Sequence, residues 1–134
     1  MDVYWTAMHS PLRDTSGPIQ GFAALPDSIL RACGWGFITQ AALLSSQGRN
    51  AEAAAILDET GVLNSPIGIY AELERGRIAE KLGDKARARD AYSYVSDMWQ
   101  NGDAYFKHIS DEAGAGLKRL SDENGATRIP LKKP

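Results

Sequence analysis

The sequence of 134 residues predicts an all-α protein built from stacked helix-turn-helix repeats. Two segments, 41–57 and 76–92, align without gaps at a spacing of 35 residues. Apolar residues in and after them recur every three or four positions, as on one face of an α-helix. Each segment contains a glycine at the same point, where a first helix would end and a second begin. These three observations predict a helical solenoid in which neighbouring repeats bury each other's faces.

The aligned positions share the packing role that we expect of them. The five pairs are Ala41 with Gly76, Leu44 with Ala79, Gly48 with Gly83, Ala53 with Ala88, and Leu57 with Tyr92. Small residues allow helices to approach closely, whereas Leu57 and Tyr92 are expected to fill the space between hairpins. Gly48 and Gly83 can adopt the left-handed backbone conformation that often ends a helix.

This order of small, apolar, glycine, alanine and bulky positions resembles the tetratricopeptide repeat (TPR), best over residues 70–95. The sequence departs from that family at Glu72 and Arg75, where the family usually has Trp and Leu. We expect one domain over 1–124, with repeats at about 1–26, 34–61 and 65–101. A capping helix over 103–123 and a tail over 125–134 would follow. The first repeat is degenerate, since Arg13 stands where the turn glycine would be.

Local signals place the ends of the individual helices. Ser65 and Pro66 combine a capping hydroxyl with a proline at the first helical position. Asp84 is expected to cap the next helix, which Gly102 ends, and Asp103 can cap the last one. The predicted buried stripes are Ile67, Tyr70, Ala71, Ile78 and Leu82 in one helix, Ala88, Ala91, Tyr92, Val95, Met98 and Trp99 in the next, and Phe106, Ile109, Ala113, Leu117 and Leu120 in the last.

Two glycine-containing segments leave more than one interpretation open. Gly34-Trp35-Gly36 either begins the first helix of the second repeat or interrupts a longer helix that starts near Ser28. The repeat register favours a helix start. Gly114 and Gly116 lie inside the predicted last helix, where each costs about 1 kcal/mol relative to alanine. Close packing is the one reason that the sequence offers for them.

Composition and charge argue against several classes of protein. A formal net charge of −2 is unlike that of a nucleic-acid-binding domain, which normally has a basic excess. A single cysteine, Cys33, rules out an intramolecular disulfide. No apolar run reaches the length of about 18 residues that a membrane-spanning helix needs. No signal-peptide pattern follows Met1, which favours a cytoplasmic location if the chain is complete and leaves an extracellular one open.

The sequence contains no recognisable catalytic or metal-binding motif. His9 and His108 are far apart, and neither has a partner at ligand spacing. Gly34-x-Gly36 lacks the third glycine and the preceding strand of a dinucleotide-binding loop. Cys33 has no flanking cation, which is more typical of a buried thiol than of a nucleophile. We therefore expect no enzyme activity, no cofactor and no metal.

The resemblance implies a protein-interaction scaffold that binds an extended or helical peptide. In TPR arrays the first helices of the repeats line the binding groove. The groove-facing candidates by register are Ile38, Ala42, Ser45, Tyr70, Arg77 and Lys81. The carboxylate-clamp pattern of Lys, Asn and Arg is not present, so recognition of a C-terminal carboxylate of the chaperone type is not expected.

Two alternatives to a scaffold for other proteins stay open. Tyr4, Trp5 and Met8 could form an exposed apolar end through which copies stack head to tail into an oligomer or filament. The later repeats also resemble the C-terminal repeats of bacterial TPR-containing signalling proteins, which implies a regulatory fragment of a larger protein.

Overall fold

The computed structural model describes residues 35–59, 66–102 and 104–126, together with Ala24. Secondary structure within these ranges is helical, as the sequence predicts. The helices are α1 (Trp35–Ser46), α2 (Asn50–Glu59), α3 (Pro66–Leu82), α4 (Lys85–Trp99), a 3₁₀ turn (Ala104–Phe106) and α5 (Lys107–Ala126). Apart from Ala24, the described residues do not include the predicted degenerate repeat at 1–26 or the segment that precedes Trp35. Residues 127–134 of the tail also lie outside them. The division of the chain into repeats stays a prediction.

The turns after α1 and α3 have the same backbone geometry. Gly48 has a φ of 78° and Gly83 a φ of 76°, so both lie in the left-handed region, as predicted. The amide of Arg49 donates to the carbonyl of Leu44 at 3.0 Å, and the amide of Asp84 donates to that of Ala79 at 2.9 Å. The second of these bonds thus repeats the first, 35 residues later. These bonds satisfy carbonyl groups that the end of a helix leaves open.

Asp84 caps the N-terminus of α4, as predicted. Its carboxylate accepts a hydrogen bond from the amide of Arg87 at 3.1 Å, which satisfies one of the free N–H groups of the first turn. The last helix differs slightly from expectation, because its first residues form the 3₁₀ turn before α5 begins at Lys107. The rings of Trp99 and Phe106 lie 4.3 Å apart across this connection. Such 3₁₀ turns are frequent at helix termini.

Each helix packs against the next one in the chain, and α3 also contacts α1 and α5. Two apolar clusters result. The first consists of residues of α1 and α2 with Ile78 of α3, and the second lies between α3, α4 and α5. Leu57 and Tyr92 are buried in these clusters, as predicted. Helix α3 is therefore the element that connects the two halves of the structure.

Two residues of the predicted stripes are exposed. Leu82 is 49% exposed and Met98 is 55% exposed, so the prediction for both was wrong. Each lies in the last turn of its helix. Helical spacing gives the side of the helix that a residue faces, but it does not show whether a neighbouring helix extends far enough to cover that residue.

The ring of Tyr92 explains two glycines. A Cβ atom added to Gly76 would lie 2.5 Å from the ring, and one added to Gly116 would lie 2.4 Å from it. Tyr92 of α4 therefore lies between α3 and α5, and its ring leaves no room for a side chain at position 76 or 116. A Cβ atom on Gly114 would meet nothing within 4 Å, so the structure offers no packing reason for that glycine.

Candidate functional site

Among the groove-facing candidates of α1, Ser45 contacts α3. Ser45 is 4% exposed, and its hydroxyl accepts a hydrogen bond from Nζ of Lys81 at 2.7 Å. The same hydroxyl donates to Oδ1 of Asn50 at 2.9 Å. Ser45 thus links α1 to α3 and to the start of α2. Its side chain is used in these contacts, whereas Lys81 is exposed.

The remaining apolar candidates are partly covered. Ile38 packs against the cluster of α1 and α2, and Ala42 is also half-buried. Tyr70 is half-buried, and its ring lies 4.9 Å from the ring of Trp35, which is 42% exposed. The ring contact of Trp35 with Tyr70 therefore contributes to the packing of α1 on α3.

Arg77 connects α3 to α5. Its Nε and Nη2 atoms donate to the two carboxylate oxygens of Glu112, each at 2.6 Å, and its Nη1 atom donates to Glu74 at 2.8 Å. Burial acts against the charge of Arg77, but the hydrogen bonds with both glutamates outweigh it and raise the pKa of the guanidinium. A bidentate pair of this kind has a defined geometry as well as a favourable energy.

A second arginine-carboxylate pair connects the same two helices. The Nε and Nη2 atoms of Arg119 donate to the carboxylate of Glu80, both at 2.9 Å. The hydroxyl of Tyr92 donates to the same carboxylate at 2.8 Å. The hydrogen bond with Arg119 lowers the pKa of Glu80, and that with Tyr92 lowers it further. Burial, aided by Glu80, raises the pKa of the Tyr92 hydroxyl.

The sequence did not predict that Glu80, Glu112 and Arg119 take part in these contacts between α3 and α5. For Glu112 a signal was available, because it follows Arg77 by the repeat spacing of 35 residues. Extending the register into α5 would have placed it beside Arg77. Glu80 and Arg119 are 39 residues apart and carry no such signal.

A cleft of about 420 Å³ lies at these two arginine-carboxylate pairs, and we call it the α3–α5 cleft. Its lining residues are Arg77, Glu80, Lys81, Tyr92 and Arg119. Both arginines are paired with carboxylates. Lys81 donates to a neutral hydroxyl, and no carboxylate lies within ion-pair distance of it in the part of the chain that the structure describes. Among the charged residues that line the cleft, Lys81 is therefore the one without an ion-pair partner among the described residues, which makes this point suitable for an anionic group.

Other predicted or possible sites are less informative. Tyr4, Trp5, Met8, His9 and Cys33 lie outside the described residues. Among residues 35–59, 66–102 and 104–126, no group of three or more histidine, cysteine or acidic side chains could hold a metal ion. In the same ranges, no helix is both long enough and apolar enough to cross a lipid bilayer.

Comparisons with protein-family models, with curated proteins and with solved structures found no match to this chain.

Proposed function

We propose that this chain is a non-catalytic, TPR-like scaffold that binds a segment of a partner protein in the α3–α5 cleft. The main support is the position of Lys81, an exposed cation beside two arginines that are already paired. A partner segment with an acidic side chain would supply the missing counter-charge. The remaining donors of the lysine ammonium are able to bond to the carboxylate of that side chain.

Two further observations support the repeat architecture on which this proposal depends. The turns at Gly48 and Gly83 share their backbone angles and hydrogen bonds at the repeat spacing. Helix α3 lies next to both α1 and α5, as expected when the first helices of successive repeats form one continuous surface. The α3–α5 cleft lies on that surface.

Self-assembly and membership of a larger signalling protein remain alternative proposals. The first depends on Tyr4, Trp5 and Met8, and the second on segments beyond this sequence. No contact among the described residues favours either, so binding of a separate acidic segment ranks first.

Peptide selection followed by a binding measurement tests the proposal. The full chain is used to select binders from a random peptide display library, and the selected peptides are measured by fluorescence anisotropy. We expect enrichment of acidic peptides and weaker binding at higher salt concentration. Replacement of Lys81 by Met should weaken binding about tenfold, as expected for the loss of one charged hydrogen bond.

Lys118→Met is the matched control, because Lys118 is an exposed lysine of α5 that does not line the cleft. It should bind the selected peptides like the unmodified chain. Selection of peptides without an acidic residue would contradict the proposal. So would equal binding by the Lys81→Met and Lys118→Met variants.

A further inference from the structure

A second open groove of about 410 Å³ lies between α2, α3 and α4, and we call it the α2–α4 groove. Its lining residues are Asp58, Glu72, Arg75, Arg87, Asp90, Ala91 and Tyr94. On α3, Glu72 and Lys81 are nine residues apart, which corresponds to two and a half helical turns. This spacing places the α2–α4 groove on the opposite side of α3 from the α3–α5 cleft.

The two arginines of the groove are held by its carboxylates. The guanidinium of Arg75 donates to Glu72 and to the carbonyl of Leu57, and its Nε lies 4.0 Å from Asp58. The guanidinium of Arg87 donates to Asp58. Arg75 is only 10% exposed, so this pairing is part of the groove wall. The groove therefore already binds guanidinium groups through carboxylates.

The charges of the groove do not balance. Its lining contains three carboxylates and only two guanidinium groups. Asp58 and Glu72 pair with the arginines, whereas Asp90 makes no hydrogen bond or ion pair with any residue that the structure describes. Asp90 is exposed, and its negative charge is available to a ligand.

Tyr94 lies beside this carboxylate. It follows Asp90 by four residues on α4, so the two side chains are neighbours on one face of the helix. The tyrosine is half-buried and lines the groove. A cation that contacts Asp90 can therefore also lie against an aromatic ring, which attracts cations through its π electrons.

We propose that the α2–α4 groove binds an arginine side chain of a partner protein, with Asp90 as the counter-charge and Tyr94 as the stacking surface. A guanidinium suits this pair better than an ammonium group. It is planar, stacks on aromatic rings and can donate two parallel hydrogen bonds to one carboxylate. The proposal is independent of the function proposed for the α3–α5 cleft, since no lining residue is shared.

Titration of the full chain with small amides, followed by two-dimensional NMR, tests this assignment. The probe is N-acetyl-arginine N-methylamide, and the matched probes are the lysine and glutamate analogues. We expect the arginine probe to shift the amide resonances of α4 around Asp90 and Tyr94, with millimolar affinity. The lysine probe should bind more weakly, and the glutamate probe should cause no shift there.

Two variants identify the groups responsible. Asp90→Asn should weaken binding of the arginine probe about threefold, as expected for an exposed ion pair. Tyr94→Leu should remove the preference for arginine over lysine. Asp97→Asn, an exposed residue of α4 outside the groove, should have no effect. Equal shifts with the lysine or glutamate probe, or unchanged arginine binding by Asp90→Asn, would overturn the proposal.

Discussion

Gly116 of α5 lies directly against the ring of Tyr92, so that a Cβ atom at position 116 would be 2.4 Å from Cε2 of that ring. Tyr92 cannot easily move away. It is 1% exposed, its other edge faces Gly76, and its hydroxyl is bonded to Glu80. Docking of α5 therefore depends on the absence of a side chain at position 116.

The first prediction compares the two glycines of α5. Gly116→Ala should lower the free energy of unfolding by about 1–2 kcal/mol, because overpacking of the core outweighs the gain in helix propensity. Gly114→Ala should raise it by up to about 1 kcal/mol, because the added methyl group meets nothing within 4 Å. Urea unfolding monitored by circular dichroism measures both. Shifts of the same sign in both variants would contradict this account of Tyr92.

The second prediction concerns acid stability. The pKa of Glu80 in the folded chain is lowered from about 4.5, mainly by Arg119. Glu80 therefore contributes stability above its unfolded pKa, and this contribution is lost as the pH falls through the lower folded value. Glu80→Gln should be less stable than the unmodified chain at neutral pH, and the difference should shrink below about pH 4.

Urea unfolding at several pH values between neutral and acidic measures that difference. Asp122→Asn is the control, since Asp122 is an exposed acidic residue of α5. Its curve should run parallel to that of the unmodified chain. A difference between Glu80→Gln and the unmodified chain that stays constant with pH would show that the carboxylate charge of Glu80 is not the stabilising factor.

The third prediction tests the turn between α3 and α4. At a φ of 76°, an alanine at position 83 is strained, and Gly83→Ala should cost about 1–2 kcal/mol. Gly83→Asn should cost less, because asparagine tolerates the left-handed conformation better. Thermal unfolding ranks the three proteins. The order glycine, asparagine, alanine is expected, and an alanine variant as stable as glycine would show that the turn relaxes.

The fourth prediction measures the contact between α3 and α5. A double-mutant cycle with Arg77→Met and Glu112→Gln should give a coupling energy of about 0.5–1 kcal/mol, since both side chains are partly exposed. The pair Lys107 and Asp111, one turn apart within α5 and more exposed, provides the comparison. Its coupling should be smaller, about 0.3–0.5 kcal/mol. A coupling energy for Arg77 and Glu112 that is zero, or no larger than that of Lys107 and Asp111, would argue against this arrangement of α3 and α5.

The sequence by itself determined the features that depend on residues close together in the chain. The left-handed glycines at 48 and 83 and the cap at Asp84 are set within a single turn of backbone, so residue type and position suffice to predict them. Burial of Leu57 and Tyr92 was also predictable, because a repeat at a fixed spacing indicates which bulky residues lie between helices.

The tertiary structure alone decided which charges pair and which ends of helices are covered. The spacing of Glu80 and Arg119 gives no reason to join them, and the exposure of Leu82 and Met98 depends on how far the neighbouring helices extend. In the sequence, Lys81 and Asp90 look like any other charged residue on a predicted helix. Only the packing of the five helices leaves these two without an ion-pair partner among the described residues, because the carboxylates and arginines around them are already bonded to each other.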